Sequence, residues 1–134
     1  MPENHIEKLT LQAANAGLPE ALTSMAVLKC GEDAVFKCGK SLACVCEKPD
    51  ESYYYIRQAA LLGDPKIINF FGSWLQHGNL GEVDIPRALA CYKLGASHGY
   101  DLATANYQSL LKSSGTTDEE VDSGDCLKDS NTAH

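Results

Sequence analysis

The residues best suited to chemistry are the cysteines. Cys30, Cys38, Cys44 and Cys46 fall within 17 residues, while Cys91 and Cys126 stand apart. Such a cluster admits three states. Reduced thiols, some buried as small apolar groups, are the leading one, in keeping with the missing export signal. Disulfides that staple an insertion into an undersized core are the second, and the even count of six cysteines permits full pairing. A zinc site built from Cys30, Cys38, Cys44 and Cys46 is the third; four thiolates suffice, but their intervals do not match a knuckle of two-residue-spaced pairs. Cys91 sits at an apolar helical position and reads as packing alone.

Other reactive side chains are scattered. His5 and His134 lie near the two ends, while His77 and His98 each precede a glycine in a last helical turn, where the helix dipole favours a partly positive imidazole. No glycine-rich phosphate loop, nucleophile elbow or His-Glu-x-x-His occurs, and no set of acid, base and nucleophile can be assembled. The expectation is a non-enzymatic protein without a cofactor, zinc being the alternative. Helical spacing assigns Trp74, Tyr54 and Tyr55 to core filling and leaves Tyr53 as the exposed aromatic.

Charge and length narrow the partners. With eleven Lys and Arg against eighteen Asp and Glu, the net charge is -7, which argues against a phosphate-backbone ligand. Six of those acids, Asp118, Glu119, Glu120, Asp122, Asp125 and Asp129, follow Ser113, with Lys128 the sole cation there. That stretch, 113–134, reads as an acidic, disordered tail. No run of about 18 apolar residues exists to insert into a membrane. The start, Met1-Pro2-Glu3-Asn4-His5, lacks a secretory signal, so a cytoplasmic setting is expected if Met1 is the native start, and a periplasmic or secreted one if a signal peptide was removed.

Six helices must position these groups. The first, His5 to Ala16, buries Ile6, Leu9 and Ala13; Gly17 ends it and Pro19 opens the second, which runs to about Cys30. After the cysteine-rich insertion, about 31–49, Asp50 caps a third helix that stops at Gly63. Asp64-Pro65 starts a fourth, with Ile67, Ile68, Phe71, Trp74 and Leu75 inward. Asp84 caps the fifth, and the sixth runs from Asp101 to about Lys112. Three turns share a pattern of two small residues, two of any type and a glycine. Their anchors Ala14, Ala60 and Ala96 stand 46 and 36 residues apart, which is a period of 36 with one insertion of ten.

The middle unit spells out that period: Phe71-Gly72, Leu75, Gly78, Leu80-Gly81, Asp84, Arg87-Ala88, Cys91-Tyr92, Gly95-Ala96 and Gly99. In identity and offset it resembles the Sel-1-like repeat, a relative of the tetratricopeptide repeat, over about residues 6 to 112, with a degenerate first unit. The resemblance implies an all-α fold: a short right-handed α-solenoid of antiparallel helix pairs over 1–112. It also implies a concave face lined by the first helix of each pair. On that face Thr23, Lys29, Asn69, Ser73, Gln76, His77 and Gln108 are the expected contacts to a protein or peptide. Some small bacterial members of the family are specific inhibitors, so an inhibitor, immunity-type or adaptor protein with one partner is the expected role. The alternative is a metal-binding or redox-responsive protein acting through Cys30 to Cys46. A cysteine-rich branch of the family pairs positions that here hold Ala14 and Leu22, Ala60 and Ile68, and Ala96 and Thr104. None is cysteine.

Overall fold

In the computed structural model, residues 18–30, 46 and 48–128 are described. Among them are five α-helices and no strand: α1 Pro19–Cys30, α2 Pro49–Leu61, α3 Pro65–His77, α4 Ile85–Ser97 and α5 Asp101–Ser114. Two 3₁₀ turns follow, Asp118–Glu120 and Ser123–Asp125. The expected helix over His5 to Ala16 lies outside the described residues. So do Cys38 and Cys44.

Local chemistry sets the boundaries. Proline opens α1, α2 and α3, where its missing N–H would have had no helical partner. Asp64 caps α3 by accepting from the Lys66 N–H at 2.9 Å, and Asp84 caps α4 by accepting from the Arg87 N–H at 3.1 Å. Gly78 and Gly115 end α3 and α5 in the left-handed conformation, at φ 76° and 71°. Asp50 is not the cap of α2. The helix begins one residue before it, so Asp50 stands in the first turn with Glu51, where both offset the positive end of the dipole.

Successive helices pack on one another, α1 on α2, α2 on α3, α3 on α4 and α4 on α5, and α3 also touches α5. One apolar cluster runs through all of them, from Leu22, Met25 and Ala26 by way of Ile56, Ile68 and Phe71 to Leu89, Tyr92 and Leu110. Each large apolar side chain removed from water there contributes about 1.5–3 kcal/mol. Two glycines let the helices close up. A Cβ on Gly72 would lie 3.0 Å from the Tyr92 ring, and one on Gly95 would lie 2.9 Å from the Ala103 Cβ.

The tyrosine run is turned differently from the expectation. Ser52, Ile56, Ala59 and Ala60 define the inward face of α2, which brings Tyr53 inward and puts Tyr54 on the far side, 57% exposed. Tyr53 meets the edge of Phe71 with ring centroids 5.9 Å apart. Trp74 is buried, as its spacing requires. No helix among the described residues is long and apolar enough to cross a membrane.

Candidate functional site

Among the described residues, four cysteines are joined in two pairs. Cys30, the last residue of α1, is bonded to Cys46, and Cys91 in α4 is bonded to Cys126. The leading expectation of reduced thiols is therefore revised, and so is the reading of Cys91 as packing alone. Cys46 is seated by its N–H on the Asn79 carbonyl at 2.7 Å, and the chain just beyond it returns to α1 through the Lys48 N–H on the Lys29 carbonyl. With two of the four sulfurs bonded to each other, the tetrathiolate zinc set does not exist in this arrangement. Among the described residues no group of three or more His, Cys, Asp or Glu is placed to hold a metal ion.

The second bridge anchors a segment that composition had assigned to a disordered tail. Through residue 128 that segment is folded against the body. Val121 and Cys126 are buried, and the turn at Ser123–Asp125 packs on α4. Three cations from the helices supply the donors. Arg57 of α2 donates to the Leu127 carbonyl at 2.7 Å. Arg87 of α4 donates to the carbonyls of Cys126, at 3.0 Å, and Lys128, and to the Tyr53 hydroxyl at 2.9 Å. Its guanidinium also lies 5.4 Å from the ring centroids of both Tyr53 and Phe71. Lys93 donates to the carbonyls of Asp118 and Val121 at 3.0 and 2.9 Å. Side-chain composition could not report most of these bonds, because all but the one to the Tyr53 hydroxyl end on backbone carbonyls.

Side chains complete the clamp. The Tyr107 hydroxyl donates to the Asp118 carboxylate, and Lys93 stands 3.4 Å from the same oxygen. The hydroxyl contact, joined by Lys93, holds the Asp118 carboxyl below its ordinary value against the opposing effect of burial. Burial, with Asp118 adding to it, pushes the Tyr107 hydroxyl up.

The expected partner-binding residues divide between elements. Asn69, Ser73, Gln76 and His77 form a row along α3. Asn69 is buried and accepts from the Asn106 side chain of α5 at 3.0 Å. The His77 Nδ1 lies 2.9 Å from the Ser73 carbonyl, and Gln76 accepts from the Tyr92 hydroxyl of α4 at 2.7 Å. Burial pushes that hydroxyl up to about 12, the neighbouring Ser73 hydroxyl acting in the opposite sense. Gln108 is exposed on α5, close in sequence to Asn106.

Thr23 and Lys29 lie on α1. Thr23 donates to the Pro19 carbonyl of its own helix, and Lys29 lies 3.9 Å from Glu51 of α2. Sequence reasoning missed Asn106, Arg57 and Lys93. Arg87 was visible only as the cation of the repeat pattern, with no hint of its acceptors. Compared with known proteins, the chain matches no family model, no curated protein and no solved structure.

Proposed function

We propose that the chain is a short right-handed α-solenoid of the Sel-1-like, tetratricopeptide-like kind, working as a non-enzymatic module that binds one protein or peptide on its concave face. The observation that carries this reading is the amide pair Asn69–Asn106. It joins α3 to α5, alternate helices of the chain, and extends the row of Ser73, Gln76 and His77 into polar groups on a second helix. Amide and hydroxyl groups in such a row can exchange hydrogen bonds with a peptide backbone without any chemistry of their own. A short array suits an inhibitor, immunity-type protein or adaptor with a single partner better than a scaffold with many.

The test is a photo-crosslinking residue placed at Gln108, which is exposed on α5, and separately at Glu119 on the C-terminal segment. The reading expects a stoichiometric adduct from Gln108 that Ser73→Arg abolishes. An adduct from Glu119 alone, or one from Gln108 indifferent to Ser73→Arg, overturns it.

The two disulfides favour a second reading, a redox-responsive protein, and with it a periplasmic or secreted setting, since such bonds persist in oxidising compartments. Intact mass with and without reductant, together with zinc analysis, separates the possibilities. A loss of about two mass units per pair and no zinc supports oxidation. A fully reduced chain holding zinc would return the function to Cys30, Cys38, Cys44 and Cys46.

A further inference from the structure

A cleft of about 500 Å³ opens between the N-terminal turn of α2 and the α3–α4 connection, within the range of ligand sites. Tyr53, Leu75 and Leu80 give it carbon walls, while Asp50, Glu82 and Asp84 bring carboxylates. Among the described residues, the carboxylates of Asp50 and Glu82 have no hydrogen-bond or ion-pair partner, and both residues are exposed. Arg87, the cation of the lining, has already directed its donors to the Cys126 and Lys128 carbonyls and the Tyr53 hydroxyl.

The sign of the field follows from the groups present. Three carboxylates face one guanidinium, and the N-termini of α2 and α4 together bring about one further positive charge. About one negative charge is left, inside a chain whose net charge is -7. An anion would meet repulsion here, and a purely apolar group would strand Asp50 and Glu82 without solvent. A long aliphatic cation satisfies both parts: its methylene stem lies along Leu75, Leu80 and the Tyr53 ring, and its charged head stays at the carboxylate rim, still partly wet.

We infer that this cleft takes the side chain of a lysine or arginine carried on a basic peptide segment of a partner protein. The inference is separate from the α3 row, and either can fail without the other. Asp84 is left out of the test because it caps α4.

The experiment is a nuclear magnetic resonance titration of the full, oxidised chain with a short blocked peptide of alternating lysine and glycine. The same peptide with acetylated lysines and a free diamine serve as comparisons. The lysine peptide is expected to shift the amides of Asp50, Tyr53, Gly81 and Glu82, and the acetylated peptide to shift none of them. Asp50→Asn with Glu82→Gln is expected to weaken binding about three- to tenfold, while Glu119→Gln with Asp122→Asn on the C-terminal segment leaves it unchanged. Equal losses from both variants, or shifts centred on residues 118–125, would show attraction to net charge alone and overturn the proposal. A diamine that binds as tightly as the peptide would also overturn it, by showing a site for small amines.

Discussion

Replacing both Cys91 and Cys126 by alanine tests the stapled C-terminal segment most directly. The bridge closes a loop of 35 residues that contains all of α5 and both 3₁₀ turns. Removing it returns to the unfolded chain the freedom that closure denies it, about 4 kcal/mol for a loop of this length. Both cysteines are fully buried, so the lost sulfurs leave a small void that adds about 1 kcal/mol. The bridge at Cys30 and Cys46 spans 16 residues, and removing that pair costs about 3 kcal/mol on the same reasoning, roughly 0.7 kcal/mol less in closure entropy. Urea unfolding of the oxidised parent and of each double-alanine variant measures these differences, and amide exchange at Val121 and Leu127 shows whether the segment opens locally. The Cys91 and Cys126 variant is expected to lose the larger stability and to expose those amides first. Retention of stability within 1 kcal/mol, with Val121 protected as before, would refute the assignment of the bridge as the anchor.

Arg87→Ala is expected to destabilise by about 2–4 kcal/mol, and Arg87→Lys to recover less than half of that, because an ammonium cannot serve three acceptors while lying over two rings; urea unfolding of both variants decides it. Gly95→Ala forces a methyl against Ala103 at 2.9 Å and is expected to cost about 1–3 kcal/mol, with a matching fall in melting temperature. Because the folded-state carboxyl of Asp118 is lowered, its contribution is present above the ordinary value of 3.8 and is lost as pH falls through the lowered one. Asp118→Asn should therefore flatten the acid limb of a stability–pH profile. The Tyr92 hydroxyl is raised to about 12, so its contribution is complete below 10.0 and disappears as pH rises through the raised value; an alkaline absorbance titration of the parent against Tyr92→Phe should place the Tyr92 ionisation near the raised value.

Much of the helical framework is legible because its signals are local. Asp64-Pro65, Asp84 and Gly78 act through bonds within four residues of themselves, and so the limits of α3 and α4 fall close to where the sequence puts them. The tyrosine run fails for a reason of register. In α2 a shift of one residue is about a quarter turn, enough to exchange the roles of Tyr53 and Tyr54, and the neighbouring Ser52 disguises the inward face. Ser52 is fully buried with its hydroxyl unpaired, which no polarity pattern would anticipate. The acidic segment misleads because its attachment consists of backbone carbonyls, one distant sulfur and cations that belong to α2 and α4. Of the polar row, the α3 members were named from the resemblance to the Sel-1-like repeat, whereas Asn106 depended on how α5 approaches Asn69.

The clamp around the C-terminal segment also bears on how the correct sulfurs find each other. During synthesis Cys46 and Cys91 exist before Cys126, so a wrong bridge between early thiols is open to the chain until its last elements arrive. Lys93 and Arg87 lie on the same helix as Cys91, and they bind carbonyls on either side of the Ser123–Asp125 turn. These bonds need no disulfide to form, so in a reduced chain the same contacts would keep the Cys126 thiol near its partner, and amide exchange at Val121 in the reduced protein measures whether they do.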